Sequence, residues 1–241
     1  MDKNCLSYWY PVIRDCVRTP ETHIIRTDAD LVCMLDGESP DGLDSLVQSI
    51  KEAGDDVGYP CFLRTGQGSG KHNWNHTCFV QDRDAVLKHV ASLVEWSVMV
   101  DILGLPTDVW VVRKMLPTVP VAVLPSYRDM PLCREFRCFV SDGNVQCIHP
   151  YWPKQAAEEG FGFLHRVLPA DWEDMYERLC HLEGYERRVI ENLASIAGKA
   201  IGGDWSIDIL DTEEGWYVTD MAEAKRSFHW PGCLNVEALE D

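Results

Sequence analysis

Two β-hairpin patterns, separated by two amphipathic helices, constrain the fold of this chain more than any other feature. Residues 132–149 contain two strand-like runs on either side of Ser-Asp-Gly-Asn, whose residues favour a tight turn. Residues 205–221 repeat the arrangement around a second turn, and segments 171–182 and 185–199 carry apolar residues at helical spacing. Hairpins form antiparallel sheets, and helices cover such sheets on one face. The pattern predicts an α+β fold with mainly antiparallel sheets.

The first half of the chain mixes the same two kinds of element. Apolar residues recur at helical spacing over 43–53, behind Asp41 as the predicted N-cap, and a second helix is predicted after Asp82. Strands are predicted at 61–65 and 109–116.

The net charge of −17, from 22 Lys and Arg against 39 Asp and Glu, limits the ligands that the chain can bind. Such a field repels phosphate backbones and anionic membrane surfaces, which argues against nucleic acid and membranes as partners. An anion that does bind must therefore meet a local group of cations.

The ten cysteines are scattered singly through apolar runs, without a C-x-x-C pair that would indicate zinc or dithiol chemistry. We expect them to be reduced, buried thiols. The amino terminus lacks the apolar stretch of a secretory signal, and no run approaches the ~20 apolar residues of a membrane helix. These features predict a cytoplasmic protein.

The scarce cations concentrate in and beside the predicted strands. Alternation along 132–140 puts Arg137 on the face of Glu135 and Arg134 on the other face. An internal salt bridge is the simpler interpretation of any single cation there, but the number of cations favours a shared anion. The set comprises Arg64, Lys71, Arg113, Lys114, Arg134, Arg137, Lys225 and Arg226.

The carboxyl-terminal hairpin carries two carboxylates, Asp208 and Asp220, one on each strand. A hairpin can bring them within a few ångströms, where they repel each other unless a cation lies between them. Mg²⁺ takes one or two carboxylates and completes its shell with substrate phosphates, so the pair predicts a magnesium site. The alternative is that Asp208 only terminates a strand or pairs with Arg226.

A glycine-rich loop contains Gly66, Gly68 and Gly70 and ends at Lys71. Glycines let backbone N–H groups approach phosphate closely, and the lysine adds a positive charge. The loop matches neither the Walker pattern nor G-x-G-x-x-G, so a flexible surface turn is the alternative interpretation.

Two further clusters are weaker candidates. Segment 72–78, with two histidines and a cysteine, has partial zinc spacing, but it follows a loop rather than lying on a helix. Cys133 or Cys138 with His149 would suit a nucleophile and its base, although cysteines in apolar strands are usually inert.

Together these residues resemble the nucleotide site of ATP-grasp proteins, which combines a glycine-rich loop, a strand with paired cations, an R-E-F-R strand and a final hairpin with two acids. More closely, the chain is similar to the eukaryotic cell-division-cycle protein one-two-three family, a divergent ATP-grasp group. The similarity spans nearly the whole chain and rests on C-L-S-Y-W-Y-P at 5–11, Arg113-Lys114, and R-E-F-R-C-F-V at 134–140.

The resemblance implies an ATP-grasp fold, in which two α+β lobes with mainly antiparallel sheets enclose a nucleotide cleft after a short N-terminal segment. The expected boundaries are 1–57 for the N-terminal segment, 58–118 for the small lobe with the glycine-rich loop, and 119–241 for the large lobe with the metal-binding hairpin.

The resemblance also implies roles for single residues. Asp208 and Asp220 would hold Mg²⁺, and Arg137 or Arg134 would face the triphosphate as a catalytic group. Lys114 and Met115 would contact adenine through their backbones. The full set expected to bind ATP is Arg64, Gly66, Gly68, Gly70, Lys71, Arg113, Lys114, Met115, Arg134 and Arg137.

The chain departs from the family pattern at two positions. Asp220-Met221-Ala222 has Ala where family members carry Asn as a further metal ligand, and Arg64 replaces a Lys, whose point charge an Arg fork does not copy.

Two functions follow from the resemblance, and both use ATP and Mg²⁺. The first is an ATP-dependent carboxylate–amine ligase that acts through an acyl phosphate, with an acyl donor and acceptor that the sequence does not identify. The second is an ATP-dependent assembly chaperone whose client is a translation initiation factor subunit, with little or no catalysis.

Overall fold

The structure is a computed structural model, and it describes residues 2–100, 104–162 and 167–230. The chain divides into two compact units. We call the one with the glycine-rich loop the loop unit, which comprises Pro20–Leu116 and Tyr127–Met130. The other is the hairpin unit, which comprises Met1–Thr19, Pro117–Ser126 and Pro131–Asp241. The segment 1–57 is therefore shared between the two units.

Helices and strands alternate along the chain. The helices are α1 (Leu6–Ile13), α2 (Leu43–Val57), α3 (Val86–Met99), α4 (Lys154–Glu159), α5 (Trp172–Cys180) and α6 (Gly184–Ile201). The strands are β1 (Thr22–Arg26), β2 (Cys61–Thr65), β3 (Phe79–Val80), β4 (Val109–Lys114), β5 (Ala122–Leu124), β6 (Met130–Leu132), β7 (Glu135–Ser141), β8 (Asn144–Pro150), β9 (Asp204–Thr212) and β10 (Gly215–Glu223).

The loop unit is an antiparallel sheet covered by helices. Its strand order is β1-β4-β2-β3, and each neighbouring pair is antiparallel. Helix α2 packs against β4, and its side chains Leu46 and Ile50 join a buried core with Leu93 of α3 and Trp110 of β4. The predicted helical stripe therefore forms the core-facing side of α2.

The hairpin unit contains a second antiparallel sheet, in the order β10-β9-β7-β8. Helix α6 contacts all four of these strands. The β7–β8 turn has positive φ at both Asp142 (46°) and Gly143 (76°), which is the type I′ geometry of two-residue hairpins. A Cβ on Gly143 would lie 2.9 Å from the backbone nitrogen of Lys199, so glycine also permits the close approach of α6. The α+β prediction with antiparallel sheets is confirmed.

Most predicted elements are present with small shifts of their ends. Gly42, rather than Asp41, is the N-cap of α2, and Asp82 caps a short 3₁₀ turn that leads into α3. Helix α1 was not expected from periodicity, because Leu6, Trp9 and Ile13 are buried in a helix that is apolar nearly all round. Among the described residues, no helix combines the length and apolar character needed to cross a bilayer.

The cysteine prediction needs two corrections, one of redox state and one of burial. Among the described residues, most cysteines are free thiols, but Cys147 is disulfide-bonded. Cys16 is exposed rather than buried, and Cys233 lies outside the described residues. A chain without C-x-x-C pairs can still bring distant sulfurs together through its fold. The free thiols are Cys5, Cys16, Cys33, Cys61, Cys78, Cys133, Cys138 and Cys180.

Candidate nucleotide and metal site

A row of ionisable side chains crosses one face of the sheet in the hairpin unit. Asp208 of β9 lies opposite Asp220 of β10 on one side and opposite Arg137 of β7 on the other. Arg137 in turn lies opposite His149 of β8. Directly opposed residues on antiparallel strands have Cβ atoms about 4.5–5.5 Å apart, so the four side chains form one continuous row.

Arg137 and Asp208 form the centre of this row. Arg137 Nε donates to Asp208 Oδ1 at 2.7 Å, and Arg137 NH2 donates to Asp208 Oδ2 at 2.9 Å. The pair is well shielded, with 15% and 7% of the two side chains exposed. Burial alone would lower the pKa of Arg137, but the Asp208 carboxylate outweighs it and raises the pKa above its usual value. A two-bonded fork of this kind fixes both groups in orientation.

The neighbouring strand completes the acidic end of the row. Asp220 Oδ1 accepts a hydrogen bond from the N–H of Met221 at 3.0 Å. A register shift between Val218 and Asp220 brings Thr219 inward, where its hydroxyl lies 3.3 Å from the Asp208 carbonyl oxygen. The bulge therefore re-aims the end of β10 and holds Asp220 beside Asp208. Asp208 pairs with Arg137 and not with Arg226, which was the alternative partner.

Arg134 belongs to a different set of contacts. Its NH1 donates to Glu186 Oε1 at 3.0 Å and to Asp211 Oδ2 at 2.5 Å, and its NH2 donates to Glu186 Oε2 at 2.9 Å. The remaining NH2 bond goes to the carbonyl oxygen of His181 at 2.8 Å. Arg134 also lines an open cavity of about 690 Å³ whose other lining residues are mainly acidic. Strand alternation puts this network on the face opposite Arg137.

Burial and ion pairing shift the pKa values of the Arg134 network in opposite directions. Burial alone would lower the pKa of Arg134, and its bonds to Glu186 and Asp211 raise it. The hydrogen bond from Arg134 holds the pKa of Glu186 below its usual value. Burial raises the pKa of Asp211 despite the arginine. These partners make Arg134 part of an internal ion-pair network.

The glycine-rich loop is tied to its own unit. The N–H of Gly66 donates to the Val109 carbonyl oxygen at 2.8 Å, and the N–H of Gly68 donates to Thr65 Oγ1 at 3.2 Å. A Cβ on Gly68 would lie 2.3 Å from Trp96 Cη2, and one on Gly70 would lie 3.1 Å from Trp96 Cδ2. Close packing on Trp96 therefore requires the absence of side chains at these two glycines.

The cations of the loop unit differ in their surroundings. Arg64 is buried on β2, and its Nε donates to the Thr65 carbonyl oxygen at 3.1 Å. Arg113 is buried on β4, and its Nε donates to Thr22 Oγ1 at 3.2 Å. Lys71 begins a 3₁₀ turn and is partly buried.

The segment expected beside adenine lies at the end of β4. Lys114 is exposed and Met115 is partly buried. The backbone N–H of Lys114 donates to the Glu21 carbonyl oxygen at 2.9 Å, so one of the two expected backbone contacts has a partner within the loop unit.

The two weaker clusters are not supported by the geometry. Burial raises the pKa of the Cys138 thiol, so this cysteine stays protonated, and alternation puts it on the face opposite His149. His72 stacks on Tyr127 with ring centroids 4.3 Å apart, while Cys78 is fully buried. Among the residues that the structure describes, the 72–78 segment does not form a group with metal-ligand distances.

Three residues that contact the row or lie beside it were missed as candidates by the sequence analysis. Glu135 follows alternation onto the face of Arg137, and its Oε1 accepts from the Thr219 hydroxyl at 3.3 Å. The Tyr151 ring lies 4.7 Å from the Arg137 guanidinium carbon. The alternation of R-E-F-R indicates Glu135, whereas Thr219 depends on a bulge and Tyr151 on sheet register.

Comparison with known proteins identifies the fold. No protein-family model matches the sequence, and no curated protein matches it. Two solved structures of Cdc123 from Schizosaccharomyces pombe are similar. One, at TM-score 0.56 and 15% identity, covers 93% of this chain and 86% of that chain. The C-terminally truncated form, at TM-score 0.58 and 15% identity, covers 98% of this chain and 90% of that chain.

A ligase structure shares the same fold over part of its length. D-alanine–D-alanine ligase from Bacillus anthracis complexed with ATP matches at TM-score 0.51 and 13% identity, over 93% of this chain and 57% of the ligase. The predicted resemblance is confirmed at the level of fold. This chain has the ATP-grasp fold, in a form similar to that of Cdc123.

Proposed function

We propose that this chain binds Mg-ATP, with the hairpin sheet holding the metal and the triphosphate. The observation that carries the proposal is the in-register row of Asp220, Asp208 and Arg137 on one sheet face. Two opposed carboxylates repel each other, and a divalent cation relieves that repulsion. The adjacent guanidinium supplies the positive charge that a phosphate needs in a protein of net charge −17.

The donor atoms of the row fit Mg²⁺. Each oxygen of Asp208 accepts one bond from Arg137, and a carboxylate oxygen has two lone pairs, so each can still coordinate. Mg²⁺ commonly takes one or two carboxylates and completes its shell with water and phosphate oxygens. Ala222 follows two positions after Asp220 on the same face and offers no side-chain ligand, so the protein donors are the two aspartates.

The reaction that this site suits is carboxylate activation. A substrate carboxylate attacks the γ-phosphorus of ATP and releases ADP, and an amine then attacks the acyl phosphate carbon and releases phosphate. Mg²⁺, when bound, offsets charge on the transferred phosphoryl group. Arg137, held in orientation by Asp208, contributes to the same stabilisation. Arg134 is left out of this set because Glu186 and Asp211 already bind it.

The loop unit carries its own part of the proposed nucleotide set. Arg64 and Lys71 are assigned to phosphate, and the end of β4 is assigned to adenine. These assignments rest on the resemblance, and separate loop variants such as Lys71→Ala test them independently of the hairpin residues.

The second candidate function is an assembly chaperone that binds ATP without turnover. The observation that favours it is Ala222, because a site with two protein carboxylates lacks the third ligand that would fix a metal more firmly for catalysis. On this hypothesis, bound ATP changes the protein surface that contacts the client, and the client is a translation factor subunit. Release of ADP and phosphate that depends on an added carboxylate and amine would favour the ligase instead.

Calorimetric titration of Mg-ATP into the wild type and the Asp220→Ala variant tests ATP binding. We expect micromolar binding that weakens at least ~10-fold in the variant, which corresponds to about 1.4 kcal/mol. Asp174→Ala, which removes an exposed carboxylate from α5, is the matched control and should bind as the wild type does. Without Mg²⁺ the difference between Asp220→Ala and wild type should vanish. Equal affinity of the two proteins with Mg²⁺ would remove Asp220 from the site.

A further inference from the structure

A second group of ligand-type side chains lies at the far edge of the same sheet. Cys147, His149 and His229 each bring one ligand atom to within 4.8 Å of the other two. Cys147 and His149 lie two residues apart on β8 and share a face, and His229 comes from the segment after β10. His229 Nε2 lies 3.2 Å from Cys147 Sγ. Ligand atoms of a tetrahedral zinc site lie about 3.5 Å apart, given Zn–S near 2.3 Å and Zn–N near 2.0–2.1 Å.

Of the three side chains, His149 gives the strongest evidence that this group binds a ligand. Its side chain is buried, with 7% of the residue exposed. Its Nδ1 lies 2.8 Å from the Pro150 carbonyl oxygen, which can only accept, so Nδ1 carries the proton. The other nitrogen, Nε2, is then an unprotonated acceptor, and it is buried without a hydrogen-bond partner among the residues that the structure describes. A histidine that donates from one nitrogen to a backbone carbonyl and presents the other is the usual arrangement of a metal ligand.

The surroundings favour a closed site. Phe139 stacks on His229 with centroids 4.0 Å apart, and Trp230 stacks on His149 with centroids 5.4 Å apart. These rings exclude water from the ligand atoms and fix both imidazoles.

We propose that, once the Cys147 disulfide is reduced, Cys147, His149 and His229 bind one Zn²⁺ ion. One thiolate and two imidazoles form a donor set that zinc prefers over magnesium or calcium. The fourth ligand is water. This site shares no side chain with the proposed Mg-ATP set of Asp220, Asp208 and Arg137, although His149 lies opposite Arg137 in the sheet.

A thiol reductant supplies the electrons that convert the disulfide at Cys147 into the thiol needed for the metal site. Two molecules of a small thiol are oxidised to their disulfide, and the S–S bond at Cys147 gains two electrons and two protons to give two thiols. Zinc binding then replaces the proton of the Cys147 thiol, which is released to solvent. The disulfide and the zinc site are therefore alternative states of the same sulfur.

The test uses the full chain, reduced with dithiothreitol and freed of it without oxygen. Titration with ZnCl₂ against a chromophoric chelator should show one equivalent bound by the reduced wild type and none by the oxidised protein. His149→Gln and His229→Gln should each weaken binding by at least about 10-fold. His181→Gln and Cys180→Ser, which change residues of the same types in the hairpin unit, should bind as the wild type does.

Titration with CoCl₂ provides a readout of the ligands themselves. The reduced wild type should show a thiolate-to-cobalt charge-transfer band that Cys147→Ser lacks. Circular dichroism establishes that each variant is folded, and if the buried His149→Gln does not fold, the half-buried His229→Gln carries the test. Equal zinc binding by oxidised and reduced wild type, or by wild type and His229→Gln, would overturn the proposal. A cobalt complex without the charge-transfer band would do the same.

Discussion

Arg134 and Arg137 stand three positions apart, Arg134 immediately before β7 and Arg137 within it, and they have different partners. Arg134 is enclosed by two carboxylates, Glu186 and Asp211, and by a backbone carbonyl. Arg137 bonds to one carboxylate, that of Asp208. Asp220 lies opposite Asp208 on the next strand, β10. The odd spacing sends the two guanidinium groups to opposite faces of the sheet.

If the Arg137 row binds Mg-ATP as proposed, the same motif serves stability on one face of the sheet and ligand binding on the other. Both carboxylates of the Arg134 network, Glu186 and Asp211, bond directly to the guanidinium of Arg134. In the Arg137 row, Arg137 bonds to Asp208, and Asp220 lies opposite Asp208 on the next strand, so two carboxylates stand side by side in an arrangement that suits a divalent cation. Within the described sheet, we therefore expect Arg134 variants to change stability and Arg137-row variants to change Mg-ATP binding.

The largest expected effect is the loss of stability in a variant of Arg134. Arg134→Met should lower the free energy of unfolding by about 3 kcal/mol, because it leaves the buried Glu186 carboxylate next to Asp211 without compensation. Urea denaturation measures the loss. Mg-ATP affinity should stay at the wild-type value under conditions where the variant is folded.

Arg187→Met is the matched control for this variant. Arg187 pairs with Glu191 at 3.6 Å, but both side chains are about half exposed, at 53% and 42%. Exposed pairs of this kind contribute little, so the loss should be under about 0.5 kcal/mol. A loss for Arg134→Met as small as that of Arg187→Met would mean that the Arg134 network is not structural.

The second prediction concerns the stability and Mg-ATP binding of Arg137 variants, on the opposite face of the sheet. Arg137→Met should cost about 2 kcal/mol of unfolding free energy, since it leaves one carboxylate, Asp208, without its arginine, whereas Arg134→Met leaves two carboxylates without theirs. The double variant Arg137→Met/Asp208→Leu removes both charges and should recover most of that loss. Mg-ATP binding should be absent from the double variant. Recovered stability together with wild-type Mg-ATP affinity would contradict the assignment of this row to the nucleotide.

Local elements of this fold were predictable from the sequence because their signals are local. Strand β2 lies at the predicted residues, and Gly202 ends α6 as predicted. The β7–β8 turn follows from Asp142-Gly143, since positive φ at two successive residues favours this pair. Helix α1 was missed because its exposed residues, Pro11 and Val12, are apolar like most of its buried ones, which removes the periodicity on which a helix prediction depends.

The pairing of side chains across the sheet was not predictable in the same way. Arg137 and Asp208 are 71 residues apart, and the opposition of Asp208 and Asp220 depends on the bulge at Thr219. A one-residue slip in either pairing would turn these side chains to the other face. The sequence therefore named the residue types of the site, whereas long-range register decides which of them meet. The group formed by Cys147, His149 and His229 was missed for the same reason.

The smallest effect is the pH dependence of the Arg134 network. Its hydrogen bond holds the pKa of Glu186 below the usual 4.5, so this carboxylate contributes stability that is present above pH 4.5 and lost as the pH falls through the lowered value. Burial raises the pKa of Asp211, so Asp211 takes up its proton earlier, and the network begins to lose charge before Glu186 titrates. The difference in unfolding free energy between wild type and Arg134→Met should therefore narrow as urea denaturation is repeated from pH 7 toward acid. A difference that stays constant over this range would show that lost packing of the arginine side chain on Trp216, 5.4 Å away, and not its charge, accounts for the destabilisation.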